Sequence, residues 1–263
     1  FALQDEIAGR IAENLKLKLG GVARVAKPVT PEAHRLYLEG RHFWNRRSEE
    51  GFARAEVALQ QAVRIDPQFA RGHAALADLW AIRSWYESDS SDASPLLARA
   101  ESAAHRALEL DPDLVELHAT FGLLRLLAGR AEEAQVQLEK CLALAPNYAT
   151  ARNWHGDVML MRGRLDLAIE DFRAAAGFDP LSPVMLFDCA RALLQARQPA
   201  DALAYAERAL ALAPDSMQAN IDRARALFDL GRTAEATTAV QAISARLDSA
   251  KAQRIRVDSD GLD

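Results

Sequence analysis

The chain has 263 residues, half of them hydrophobic but only 6% aromatic, and its formal net charge is −5. This charge provides no general electrostatic attraction to nucleic acid or to anionic lipid, so we expect neither to be a partner. No apolar run approaches the length of a membrane span, and we therefore expect a cytoplasmic protein.

The first predicted element is an amphipathic helix over residues 1–21, which a linker over residues 22–30 connects to the rest of the chain. Its apolar residues recur at every fourth position, which aligns them on one helix face. They are Leu3, Ile7, Ile11 and Leu15. This helix either caps the structure that follows it or docks into a groove of that structure. Because the chain starts at Phe1 without a signal peptide, we expect it to be a piece of a longer protein.

Residues 31–67 form the first of several predicted helical pairs. Thr30 is a suitable N-cap, and Pro31 suits the first helical position, where its missing N–H costs no hydrogen bond. This pair is slightly longer than the regular ones, and we place the extra residues in an extended turn over residues 47–51.

The second predicted pair, residues 68–112, is 11 residues longer than the regular period. Insertions in repeat arrays fall in the turns between helices, so we place the extra residues at 84–95. This insertion has two interpretations. Trp85 and Tyr86 either mark a contact or modification site, or fold back onto the edge of the array beside a solvated loop.

The strongest signal in the sequence is a proline that returns every 34 residues and closes each helical pair, because proline cannot continue a helix. These prolines are Pro112, Pro146, Pro180 and Pro214. The period predicts four further pairs and a short tail. Their boundaries are 113–146, 147–180, 181–214 and 215–248, with the tail at 249–263.

Glycine and other small residues recur in register within these pairs. Gly129, Gly163 and Gly231 stand where the first helix of a pair must end, and glycine tolerates the left-handed conformation of many helix ends. Gly122 and Gly156 lie inside first helices, where a small residue lets the second helix approach closely.

This combined pattern resembles the tetratricopeptide repeat. That family has large and small residues in fixed order on a first helix, then alanine and a large residue on a second helix, and a closing proline. Gly122, Ala134, Leu138 and Pro146 match it in one repeat. The resemblance implies an all-α fold, a right-handed superhelical solenoid of about six helix-turn-helix repeats, and a protein–protein interaction scaffold.

In such a solenoid the first helices line a concave groove, and we predict that a protein or peptide partner binds there. The groove positions combine apolar residues with a few charges, which suits a segment with apolar anchors. The predicted site residues are Asn153, Asp157, Met161, Phe187, Arg191, Arg225 and Phe228. Alternatively, Leu123, Leu127 and Leu194 belong to the core and the groove is shallow.

Repeats that grip the acidic C-terminal tail of a chaperone carry Lys and Asn at two groove positions. The third pair has Ala119 and Leu123 at these positions, so we do not expect a chaperone tail as the partner.

The stretch from Phe1 through Ile7, Ile11 and Leu15 resembles a junction found in bacterial signalling proteins. In CadC-like regulators and in some adenylate cyclases, a TolB-like domain ends in such a helix and continues into tetratricopeptide repeats. The resemblance implies that this chain is the C-terminal part of a bacterial signalling or transcriptional regulator.

No catalytic, cofactor or metal site is predicted, so we expect no enzyme activity. The six histidines form no pair with metal-ligand spacing beside a carboxylate, and no phosphate loop or nucleophile motif is present. Cys141 and Cys189 fall at packing positions, which favours buried thiols in a reducing compartment over a disulfide or a metal site.

Two alternatives to a groove-binding scaffold stay open. The first is self-association through the ends of the solenoid, where Val240 and Ile243 belong to the last pair. The second is regulation of an attached enzyme such as an adenylate cyclase.

Overall fold

The computed structural model describes residues 29–87 and 93–260, which form twelve α-helices and no strand. The predicted all-α solenoid of about six helical pairs is confirmed for this part of the chain. The helix predicted over residues 1–21 and nearly all of its linker lie outside the described residues. The helices are α1 Pro31–Trp44, α2 Glu49–Ile65, α3 Ala70–Tyr86, α4 Ala93–Leu110, α5 Glu116–Leu127, α6 Ala131–Leu144, α7 Ala149–Met161, α8 Leu165–Phe178, α9 Pro183–Gln195, α10 Pro199–Leu212, α11 Met217–Asp229 and α12 Thr233–Asp260.

Each odd-numbered helix packs against the even-numbered helix after it, and successive pairs stack on one another. The contacts between pairs bury a continuous apolar core that reaches from Phe43 in α1 to Ala236 in α12. A single pair could not bury its apolar face alone, so the stacking is what makes each pair stable. Among the described helices, none combines the length and the apolar character needed to cross a membrane.

The first helices end as the glycines predict. Gly129, Gly163 and Gly231 have φ angles of 73°, 72° and 75°, in the left-handed region. The N–H of the residue after Gly129 then reaches back to the carbonyl of Arg125 at 2.9 Å, which satisfies a free carbonyl of α5. In the fifth pair Arg197 adopts the same conformation, with φ 58°, so the tertiary fold imposes this turn even without glycine.

The two helices of a pair approach most closely where a small residue faces a large one. A Cβ atom on Gly156 would lie 2.8 Å from Cε1 of Phe172, closer than packed atoms tolerate. Where the first helix carries Ala190 instead, the second helix carries Ala206, and both are fully buried. An alanine on the first helix is thus accompanied by a small residue on the second, which leaves room for its methyl group. The same contact joins Gly40 to Leu59 and Gly122 to Leu138.

The first turn and the insertion differ from their predicted positions. The turn lies at residues 45–48 rather than 47–51, because the Ser48 hydroxyl accepts a hydrogen bond from the Gly51 N–H at 3.1 Å and so caps α2. Residues 84–86 end α3 and residues 93–95 begin α4, so both ends of the predicted insertion are helical.

The insertion lengthens two helices. α3 and α4 have 17 and 18 residues, whereas α7 and α8 of a regular pair have 13 and 14. At the end of α3, Trp85 and Tyr86 are about half exposed, and the ring of Tyr86 lies 5.4 Å edge-on from the ring of Phe52.

The last helix is also longer than its counterparts. α12 has 28 residues, twice as many as α10, and it runs through the predicted boundary at residue 248 to Asp260. Most of the predicted tail is therefore a continuation of this helix.

Gly156→Ala is expected to lower the free energy of unfolding by about 1–3 kcal/mol, because the added methyl group overpacks the contact with Phe172. Chemical denaturation followed by circular dichroism measures this loss. The matched control is Gly177→Ala in α8, where a Cβ atom meets nothing within 4 Å and alanine favours the helix by up to ~1 kcal/mol. Equal effects at the two glycines would contradict the close-approach interpretation.

Candidate functional site on the inner wall

Polar side chains of the first helices meet across the inside of the solenoid. A guanidinium nitrogen of Arg41 in α1 lies 3.2 Å from Oδ2 of Asp78 in α3, and the hydroxyl of Thr120 in α5 donates to Oδ1 of the same carboxylate at 2.8 Å. The other terminal nitrogen of Arg41 donates to the hydroxyl of Thr150 in α7 at 3.4 Å. The array therefore curls enough for the first pair to touch the fourth.

Residues 41–47, the end of α1 and most of the turn after it, form what we call the plug. At its centre, Trp44 is only 1% exposed and lies 6.4 Å edge-on from Trp154 of α7. The guanidinium carbons of Arg41 and Arg47 lie 4.2 Å and 3.7 Å from the centre of the Trp44 ring, so both cations stack on it. The plug thus covers part of the inner wall of the fourth pair.

The plug also reaches the far end of the array. Arg46 pairs with Asp215, in the connection between the fifth and sixth pairs, at 3.4 Å. Both side chains are well exposed, so this ion pair adds little stability by itself. The ion pair is informative about the geometry of the array, because it shows that the first turn reaches across the concave side.

A second polar cluster, centred on Arg191 of α9, lies further along the wall. Arg191 pairs with Asp188 at 2.8 Å and with Asp157 of α7 at 3.4 Å. The side-chain amide of Asn153 donates to Asp188 at 3.0 Å. One guanidinium therefore compensates two carboxylates that α7 and α9 carry into a largely buried position.

Burial also raises the pKa values of carboxylates in and beside this cluster. It raises the pKa of Asp222 in α11 to about 6, against the opposing effects of a hydrogen bond from Gln218 and the charge of Arg191. Burial, followed by the nearby Asp188, raises the pKa of Asp157 as well. One carboxylate oxygen of Asp222 is buried without a hydrogen-bond partner among the described residues, which makes its ionised form costly.

The seven predicted groove residues separate into three groups. Asn153, Asp157 and Arg191 are occupied in the internal network described above. Phe187 does not line an open groove, since it is 2% exposed and packs in the core around α9, which corrects the prediction for this residue. Three residues do stay accessible. They are Met161, Arg225 and Phe228.

Sequence reasoning missed several residues of this wall. Asp188 and Asp222 are 34 residues apart, at the same position of successive pairs, and this recurrence of a carboxylate among packing residues was a usable signal. No local sequence pattern predicts the roles of Arg41 and Trp44, because their contacts with the fourth pair depend on how tightly the array curls.

The tetratricopeptide repeat family model matches residues 119–183 and 187–252. These two segments carry tetratricopeptide repeats. The matched region covers the four pairs in which the proline period is regular, and the structure continues the same helical pairing to α1. A comparison with curated protein sequences gave no match.

Solved structures of repeat proteins share this fold at low sequence identity. A human IFIT1 dimer with m7Gppp-AAAA matches with a TM-score of 0.64 and 18% identity, over 92% of this chain and 58% of the IFIT1 chain. A thermophilic TPR protein of Thermus thermophilus matches with a TM-score of 0.55 and 17% identity, over 74% and 99% of the two chains. PilW, a type IV pilus biogenesis factor, matches with a TM-score of 0.51 and 18% identity, over 82% and 92%. Similarity at this level establishes the solenoid fold alone.

Among the described residues, no group of three or more His, Cys, Asp or Glu side chains is placed to hold a metal ion. Cys141 and Cys189 are both buried and unpaired, as the sequence predicts for packing residues.

Asp222→Asn is expected to stabilise the protein increasingly as the pH rises from about 4 to about 6. The raised pKa means that the folded state keeps a proton that the unfolded state releases near pH 4, so the contribution of Asp222 to stability is fully present at low pH and is lost as the pH rises through 6. Asparagine is neutral throughout. The difference from wild type should approach about 3 kcal/mol above pH 6.

Urea denaturation across this pH range measures that difference. Asp229→Asn changes an exposed carboxylate on the same helix, α11, and serves as the control. If the difference in stability between wild type and Asp222→Asn does not vary with pH, burial does not raise the pKa of Asp222.

Proposed function

We propose that this protein is an interaction scaffold whose partner binds along α11, at the open end of the inner wall. The observation that carries this proposal is an exposed stripe on α11, which we call the α11 stripe. It consists of Ile221, Arg225 and Phe228, spaced so that they share one helix face, and Phe228 is 64% exposed. In the fourth and fifth pairs the corresponding positions are largely engaged in internal contacts.

The chemistry of the α11 stripe defines the partner. Two large apolar side chains flank a guanidinium, and Arg225 makes no ion pair with any other described residue. A helix or extended segment with two apolar side chains and a carboxylate between them fits this stripe. Its apolar side chains would cover Ile221 and Phe228, and its carboxylate would pair with Arg225. Two residues of the stripe, Arg225 and Phe228, are among the predicted groove residues. The plug covers part of the inner wall of the fourth pair, so the proposed binding surface lies nearer the end of the array.

Replacing Phe228 with serine and Arg225 with glutamate together is expected to weaken partner binding about tenfold or more, since both the apolar anchor and the charge are lost. The measurement is quantitative mass spectrometry of proteins captured by the tagged chain from a lysate of the source cells. Phe178→Ser is the matched control, because Phe178 is also an exposed phenylalanine at a helix end but belongs to a second helix, α8. If the double variant captures the same proteins as wild type, the α11 stripe is not the binding site.

For the whole protein, we propose a cytoplasmic bacterial signalling or transcriptional regulator in which these repeats mediate contacts. The support is the resemblance of residues 1–21 to a regulator junction, and these residues lie outside the described part of the chain. The family and structure matches concern the repeats and lend no support to a regulator or cyclase domain. The unpaired Cys141 and Cys189 agree with a reducing compartment. The absence of enzyme activity stays a prediction.

A second candidate function is self-association through α12. Val240 and Leu247 are each 53% exposed on α12, and no described helix covers this face. Their spacing of seven residues places them on one helix face, with Ile243 partly buried between them. A second copy of the chain could cover this face as a further repeat would.

If α12 mediates self-association, the mass of the wild-type chain should rise with concentration, and Val240→Glu should hold it at the monomer mass because a buried unpaired charge is costly. Light scattering coupled to size-exclusion chromatography measures the mass. Val136→Glu changes a similarly exposed valine on α6, in the middle of the array, and should behave as wild type. A wild-type mass that does not change with concentration would exclude this function over the range measured.

A further inference from the structure

A cleft of about 500 Å³ opens between the second helices of the first two repeats. Its two sides are α2 and α4, and its floor is α3. Each helix contributes residues three or four positions apart, so one face of each helix points into the same space. The cleft is separate from the inner wall, which the first helices form.

The floor of the cleft is apolar. Leu76 and Trp80 of α3 are buried beneath it, and Val63 and Ala103 close it on the two sides. Apolar surface that stays open to solvent in a concave site is suited to receive a hydrophobic side chain.

The rim of the cleft is basic. Arg64 of α2 and Arg99 and Arg106 of α4 surround the opening, and no carboxylate is among the lining residues. Arg99 lies 4.1 Å from the centre of the Trp80 ring and pairs with Glu56 at 2.6 Å, so its position is well defined. This local positive charge contrasts with the net charge of −5 of the whole chain.

Two of the three arginines can bind an additional anion at little cost. Arg64 makes no ion pair within the described part of the chain, and the pair of Arg106 with Glu109 at 2.8 Å is solvent-exposed and therefore weak.

The repeat register shows that this charge pattern is specific to the first gap. We counted the positions equivalent to Arg64, Arg99 and Arg106 from the closing proline of each repeat, and the next three gaps carry no comparable set. They carry Glu109, Glu133 and Lys140, then Ala143, Leu167 and Ala174, then Gly177, Asp201 and Arg208. The repeat architecture does not require three arginines here, since three other gaps are built without them.

We propose that this cleft binds an acidic peptide segment, with one hydrophobic side chain inserted against Leu76 and Trp80 and flanking carboxylates paired with Arg64 and Arg106. The volume is within the usual range for sites that take a few side chains. Arginine matches carboxylates in two-point hydrogen bonding, which orients the segment across the opening. This surface goes beyond the α11 stripe, so the two can bind different segments.

The test is fluorescence anisotropy with the full chain and a panel of labelled peptides of the form Glu-Glu-X-X-Glu-Glu, in which X is each large apolar residue. The same panel with Lys in place of Glu, and a single-stranded RNA of mixed sequence, complete the probes. Members of the acidic panel should bind, and the joint change Arg64→Glu and Arg106→Glu should weaken binding about tenfold or more. Both arginines are exposed, so an unchanged thermal melt is expected.

Two further variants separate the cleft from general surface charge. Ser102→Trp fills the opening from α4 without changing any charge and should abolish binding. Arg208→Glu changes an exposed arginine at the register position of Arg106 in another gap and should leave binding unchanged. Replacing Phe228 with serine and Arg225 with glutamate should also leave it unchanged, which keeps this test independent of the α11 stripe.

The proposal is overturned if no acidic peptide binds, or if binding survives the change at Arg64 and Arg106 or in Ser102→Trp. Binding of the RNA without binding of the acidic panel would overturn it in favour of a nucleic-acid site.

Discussion

The close approach of the two helices within each pair is the constraint on which the rest of this structure depends. Gly156 leaves room for the ring of Phe172, and Ala190, which is larger than glycine, is accompanied by the small Ala206. Close-packed interiors tolerate neither overlap nor large voids, so the residues at this contact must suit each other in size for the pairs to keep a similar shape. Similar pairs can then stack with a regular rotation, which produces a solenoid.

The way the solenoid curls decides what its inner wall can do. Because Arg41 and Trp44 of the first pair reach Thr150 and Trp154 of the fourth, part of the wall is occupied by the protein itself. Carboxylates that would face solvent in an open groove are then buried, and arginines compensate them. Asp222 is compensated least, since one of its oxygens has no partner among the described residues. The surfaces that stay available lie at the end of the array and between the second helices.

These available surfaces differ in chemistry, which suits a scaffold. The α11 stripe combines apolar side chains with one arginine, α12 presents an apolar face, and the cleft between α2 and α4 surrounds an apolar floor with three arginines. A solenoid can carry such sites independently, because each repeat contacts only its neighbours for most of its stability. Changes at one surface therefore need not disturb another, which is what allows repeat proteins to hold several partners.

The sequence by itself determined the helical pairs, their 34-residue period, the glycine turns at Gly129, Gly163 and Gly231, and the small residues at the close contacts. All of these depend on interactions within one pair or between neighbours, and such local interactions leave a periodic signal. Only the tertiary structure decided that Phe187 is core, that Asp157 and Arg191 pair with each other, and that the plug covers the inner wall. These outcomes depend on small rotations that accumulate over several repeats, until residues 109 positions apart, such as Arg41 and Thr150, come into contact. No short-range pattern in the chain records that sum.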